Sequence, residues 1–132
     1  MIRRLLPVAF ALALSAPTFA GTQADLLSGL VADAAREGTP VAPSAARGES
    51  FFKTRRAEWS CASCHTADPR QDGRHAVTGK SIRPMAPSAE PTRLTDRAKT
   101  DKWFHRNCRD VVGRPCSLAE QADVVAYLMS LK

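Results

Sequence analysis

The run Cys61-Ala62-Ser63-Cys64-His65 constrains this 132-residue chain more than any other feature. Two cysteines separated by two residues, with a histidine directly after, have the spacing at which two thiols add to the two vinyl groups of one haem. The histidine can then face the iron as proximal ligand, leaving the second axial group and burial of the ring to tune the metal. Two other chemistries use such a cysteine pair. A zinc site would have to recruit Cys108 and Cys116, whose separation is wider than zinc motifs favour. A dithiol oxidoreductase would set the pair in a βαβ pattern, and none surrounds it. The cofactor read from the run is one covalently bound haem c, with Cys61, Cys64 and His65 as its binding residues.

The start of the chain supplies the export that such chemistry goes with. Met1-Ile2-Arg3-Arg4 leads into the apolar stretch Leu5 to Leu14, and small residues end it at Thr18-Phe19-Ala20. That pattern is a secretory signal peptide over residues 1–20, too short for a membrane span. Residues 21–132 are then the size of one small domain. A periplasmic location is expected, with no membrane span and no nucleic-acid partner. A domain so small buries little surface and needs help to be stable, which a flat apolar haem can give. With Cys61 and Cys64 taken by the haem, Cys108 and Cys116 are left to form a disulfide in an oxidising compartment. Lys and Arg outnumber Asp and Glu 19 to 13. A modest positive surface suits docking to an acidic redox partner, or merely solubility.

Hydrophobic spacing predicts an all-α domain. The first helix covers Thr22 to Glu37, with Leu26, Leu27, Leu30, Val31 and Ala34 on one face and Thr22 and Asp25 as a capping pair. Gly38 and Pro40 stop it. Ser44 caps a second helix carrying Gly48 and Phe52 on one face, where the missing side chain lets another helix approach closely. After His65, turn residues and Pro84, Pro87 and Pro91 predict loop. A third helix starts at Thr95 and ends near Gly113 or Pro115. The last begins at Ser117, with Glu120 three residues on, and buries Leu118, Ala122, Val125, Leu128 and Met129.

Gly48 and Phe52, the haem run, and the closing Asp123-Val124-Val125-Ala126-Tyr127-Leu128 resemble a class I cytochrome c. More narrowly, Lys102-Trp103-Phe104-His105-Arg106-Asn107-Cys108 and Asp110-Val111-Val112-Gly113-Arg114-Pro115-Cys116 resemble the SHP group of oxygen-binding monohaem cytochromes c. The resemblance implies a class I cytochrome c-like fold around one haem, with His65 proximal and Asn107 as distal ligand in the ferric state. It matches the disulfide to Cys108 and Cys116. It also implies release of the asparagine on reduction, binding of O2, NO or CO, and a diheme cytochrome c as electron partner.

The residues themselves leave the sixth ligand open. On a helix, neighbours of a face lie three and four residues away. Asn107 then shares a face with Trp103, Phe104 and Val111, whereas His105 sits among polar neighbours and is the more exposed. Met85, in Arg83-Pro84-Met85-Ala86-Pro87, is the rival, because Met with His is the usual pair of electron-transfer cytochromes c. Asn107 could also be a helix C-cap. An amide oxygen is a hard, weak donor that suits Fe(III) better than Fe(II), so reduction should loosen it. Three functions follow: a gas-binding cytochrome, a plain electron carrier with permanent His65 and Met85 ligation, or a haem enzyme acting on peroxide or NO. The enzyme reading lacks a distal acid–base pair unless His75 or His105 folds into the pocket.

Overall fold

The computed structural model describes residues 21–132; the expected signal peptide, residues 1–20, lies outside the described residues. Five helices follow in order: α1 (Gln23–Arg36), α2 (Ala45–Lys53), α3 (Cys61–His65), α4 (Arg97–Val112) and α5 (Leu118–Ser130), with a short ribbon, β1 (Gly73–Arg74) and β2 (Ser81–Ile82), between α3 and α4. Three starts are closed by reciprocal capping boxes: Thr22 with Asp25, Ser60 with Ser63, and Ser117 with Glu120. Such a cap satisfies backbone N–H groups that have no partner within the helix. Gly38 and Gly113, at φ 74° and 77°, follow α1 and α4 in the left-handed region that glycine adopts without strain.

α5 is the central element, packed against both α1 and α2. The core joins Leu26 and Leu30 of α1, Phe52 of α2, Leu94, and Ala122, Val124, Val125, Tyr127 and Leu128 of α5. The expected stripe on α5 is therefore too narrow. Two flanking helices enclose it on adjoining faces, so Asp123, Val124 and Tyr127 are buried as well. Gly48 is what brings α2 so close. A Cβ built there would lie 1.9 Å from the Asp123 carbonyl oxygen and 2.9 Å from the Tyr127 Cβ. The Phe52 ring stands 5.7 Å from that of Tyr127.

Asp123 ties the two helices at the same point. Its carboxylate accepts the Ser44 backbone N–H at 2.7 Å and the Arg47 Nε and Nη2 at 2.7 and 2.8 Å. Asp123→Ala is expected to lower unfolding stability by about 2 kcal/mol, since the Ser44 N–H loses its acceptor while the half-exposed Arg47 can turn to water. A denaturant titration of the holoprotein measures it, and a loss under about 0.5 kcal/mol would contradict this account.

Two boundaries differ from expectation. α4 starts after Asp96, whose carboxylate accepts the Lys99 N–H at 2.9 Å, while the Thr95 hydroxyl is spent on the Thr92 carbonyl. The loop after His65 contains the two-residue ribbon, registered Gly73 to Ile82 and Arg74 to Ser81. It is too short for any alternation of side chains to announce it.

Candidate haem site

α3 is a single turn of helix that begins at Cys61. Before it, Arg56 and Trp59 exchange backbone hydrogen bonds around a tight turn with Ala57 at φ 49°. The Ser60 hydroxyl then accepts the Ser63 N–H, and Thr66, at φ 63°, ends the helix. Cys61 and Cys64 thus stand on one turn, both half-buried and neither in a disulfide. Burial pushes the Cys61 thiol up, and the Arg56 charge opposes this in part.

His65 follows on the same turn, its ring centroid 6.2 Å from that of Phe52. Burial, and after it the positive charge of Arg93, push its pKa down to about 4. The imidazole is therefore neutral at ordinary pH and keeps a lone pair to donate. Its Nδ1 is buried without a hydrogen-bond partner among the described residues. A buried polar nitrogen with no partner is costly unless something else engages the ring. Two unpaired thiols one turn apart and a neutral, unsatisfied imidazole are the donor set that covalent haem requires.

The segments after α3 close over it. Gly73 leaves no room for a side chain, since a Cβ would meet the Cys64 carbonyl oxygen at 2.1 Å. The Ala76 N–H lies 3.3 Å from the Cys64 Sγ. The buried Pro69 offers its carbonyl to the N–H groups of Met85 and Ala86 at 2.8 and 3.0 Å. Met85 is thereby fixed beside the exit of the haem run, half-buried against the core. Arg93 is half-buried too, its guanidinium donating to the carbonyls of Pro84 and Arg83 at 2.8 Å each. Neither Gly73 nor Arg93 was singled out from the sequence. Arg93 bonds to backbone oxygens, which carry no sequence signal, and Asp72-Gly73 reads as ordinary turn chemistry.

The remaining candidates are dispersed. His75 is exposed, and its Nδ1 accepts the N–H groups of Val77 and Thr78 at 3.2 Å each, so it organises the ribbon's turn. His105 lines a cleft of about 230 Å³ with Arg97, Asp101, Phe104, Pro115, Cys116, Leu118 and Gln121, which includes no residue of α3. Asn107 is exposed on α4, with no side-chain hydrogen bond among the described residues. It lies well before the end of the helix, and Gly113 is the C-cap, so the capping role proposed for an asparagine here falls away. Cys108 and Cys116 are joined, with Cα atoms 5.6 Å apart. Their pairing leaves no second thiol pair for zinc, and no cluster of three or more His, Cys, Asp and Glu side chains occurs among the described residues.

α4 packs differently from its neighbours. Cys108 is its one buried residue, and no other element makes extensive contact with it. Its first turn is held by Arg97, which bridges Asp33 of α1 and Asp101 at 2.7 Å each. Its last turns are held by the disulfide.

A helical core around a C-x-x-C-H turn with an unsatisfied imidazole defines a c-type cytochrome, whose cofactor is one covalently bound haem c. The family model described as a domain of unknown function, DUF1924, matches residues 39–128. The cytochrome c-type protein SHP of Cereibacter sphaeroides is 41% identical over 122 residues, covering 87% of this chain and 90% of that protein. The structure of oxidized SHP, described as an oxygen binding cytochrome c, superimposes with a TM-score of 0.70 at 40% identity, covering 82% of this chain and 96% of that one. The solution structure of Methylophilus methylotrophus cytochrome c'', presented for the structural basis of haem-ligand detachment, gives a TM-score of 0.68 at 36% identity, over 82% and 92% of the two chains. The chain belongs to the family of SHP and cytochrome c'', with the all-α cytochrome c fold.

Proposed function

We propose that this protein is a periplasmic, electron-accepting cytochrome that opens a gas-binding position when it is reduced. Residues 1–20 direct export and residues 21–132 form the working domain. Cys61 and Cys64 hold the haem, and His65 is the proximal ligand. The haem, when bound, supplies one-electron redox chemistry and an axial position for O2, NO or CO. Asn107 occupies that position in the oxidised state through its amide oxygen and leaves it on reduction, because a hard oxygen donor suits the ferrous metal poorly. Its amide N–H groups can then hydrogen-bond a bound diatomic. A diheme cytochrome c is the electron partner in this reading.

The observation that carries it is the way α4 is held. A helix with one buried residue, fastened at both ends by Arg97 and by the disulfide, can move its middle without unravelling the core. The disulfide suits an oxidising compartment. The description of the SHP structure as oxygen binding, and of cytochrome c'' in terms of haem-ligand detachment, agree with that reading. No described helix is long and apolar enough to cross a membrane.

The expected spectra are six-coordinate and low-spin when oxidised, with rapid formation of a CO complex on reduction. A reduced form that remains six-coordinate and ignores CO overturns the proposal. Met85 supports the alternative of permanent His65 and Met85 ligation, because its backbone is pinned by Pro69 beside the haem run. Met85→Leu leaves the axial ligands unchanged if Asn107 is the ligand and removes one if Met85 is.

A further inference from the structure

The outer face of α4 gathers four unpaired cations on one helix. Elsewhere Arg36 and Arg97 sit on Asp33, Arg47 on Asp123, Lys53 on Glu49, Arg70 on Asp68, Arg83 on Glu90 and Arg114 on Glu120, while Arg55, Arg56, Arg74, Lys80, Arg93 and Lys132 make no ion pair among the described residues and form no such row on a helix. Along α4, Lys99, Lys102, Arg106 and Arg109 are all exposed, and none of them makes an ion pair among the described residues. Their spacings of three, four and three residues place them on one face, in a stripe about 15 Å long. The positions opposite, Arg97, Asp101, Phe104 and Cys108, are the more buried ones. The acids at the two ends do not relieve the stripe. Asp96 is engaged as the helix cap, and Asp110 makes no ion pair among the described residues.

Like charges at these spacings repel and weaken a helix. α4 has the least burial of the long helices to offset that repulsion. Four like charges on one helix face with no internal compensation point to a partner that supplies it.

We propose that this stripe is the docking surface for an acidic electron-transfer protein. The inference rests on the redox reading above and names the face through which the electron arrives. One electron passes from the reduced donor to this protein, so the donor is oxidised by one electron and the haem protein is reduced. Complementary charge raises the encounter rate and fixes the orientation. Asn107 lies on the same helix, so a docked donor is separated from its flank by no more than a helix diameter, about 10–12 Å with side chains. The stripe is less suited to a membrane. Insertion needs a broad apolar face beside the charges, and Trp103, 46% exposed, is the one large apolar side chain α4 offers there, with Phe104 and Cys108 turned inward.

The test is stopped-flow reduction of the oxidised holoprotein by a reduced flavodoxin, a strongly acidic one-electron donor. The wild-type second-order rate should fall at least about tenfold as ionic strength rises from about 20 to about 300 mM. Joint replacement Lys99→Gln, Lys102→Gln, Arg106→Gln and Arg109→Gln should slow the low-salt rate at least about tenfold and flatten the salt dependence. It should also leave thermal stability no lower than wild type, because it removes the repulsion. Reduction by dithionite should be unchanged. The pair Lys102→Gln with Arg106→Gln serves should the fourfold variant fold poorly. Its control is Arg74→Gln with Lys80→Gln on the ribbon, which removes the same charge elsewhere.

An unchanged rate and salt slope in the α4 variants overturns the proposal. So does an equal slowing by the ribbon pair, which would reduce the effect to net charge. Stripe-dependent binding to phosphatidylglycerol vesicles, with flavodoxin rates unaltered, would assign the face to a membrane instead. CO binding is read separately, so a protein that ignores CO yet shows the stripe effect keeps the docking surface and loses the gas-binding function.

Discussion

Asn107→Met is expected to yield a protein that stays six-coordinate in both oxidation states and no longer takes up CO readily when reduced. A thioether is soft and binds ferrous as well as ferric iron, which is why Met with His serves cytochromes that only carry electrons. The incoming gas must then displace a ligand that is content in the reduced state. An internal equilibrium favouring the closed form by about 3 kcal/mol lowers apparent CO affinity roughly a hundredfold. The reduction potential rises as well, since Met favours the reduced metal. Asn107→Ala should do the opposite. With no side chain to hold the sixth position, the oxidised protein becomes high-spin, and CO binds on reduction without a preceding release step. Optical and resonance Raman spectra of both oxidation states, with CO flash photolysis, read these outcomes. If both variants bind CO as the wild type does, Asn107 is not the ligand. α4 could accept either change without loss of fold, because position 107 is exposed and uninvolved in the core.

Gly48→Ala is expected to cost at least about 3 kcal/mol, and Gly48→Val to prevent accumulation of folded holoprotein. The new Cβ would sit 1.9 Å from the Asp123 carbonyl oxygen, which is backbone and cannot swing aside. α5 is fixed there by the Asp123 bonds to Ser44 and Arg47. The two helices must therefore separate, opening the contacts of Phe52 with Tyr127 and of both with the rest of the core. The gain in helix propensity from glycine to alanine, about 1 kcal/mol, is smaller than that loss. Denaturant unfolding of the holoprotein gives the first value, and the yield of haem-bearing protein the second. A loss below about 1 kcal/mol for Gly48→Ala would show that α2 and α5 do not meet as tightly as described. The effect would reach the site, because Phe52 also stands against His65.

Much of the architecture could be read along the chain. The four longer helices, the capping pairs Thr22 with Asp25 and Ser117 with Glu120, and the break at Gly38 were all legible, while the end of α4 was narrowed to Gly113 or Pro115 and the structure places it at Gly113. So was the use of Gly48 as a place of close helix approach. α3 was legible as chemistry but not as a separate helix, since one turn is too short to show a period. The burial of Asp123 was not legible. A charged residue on a helix reads as solvent-facing until its partners, Ser44 and Arg47, are known to lie across from it.

What the sequence determined by itself is the chemistry of the haem run and most limits of the four longer helices, because those depend on residues within four positions of one another. The tertiary structure alone decided which side chains surround that chemistry. Pro69 holds Met85, Arg93 lies near enough to His65 to lower its pKa, Gly73 admits the Cys64 carbonyl, and Arg97 fastens α4 to Asp33. These contacts join distant segments, often through backbone atoms that every residue carries. No spacing encodes them, and they form only when burial of the α1, α2 and α5 core brings the segments together.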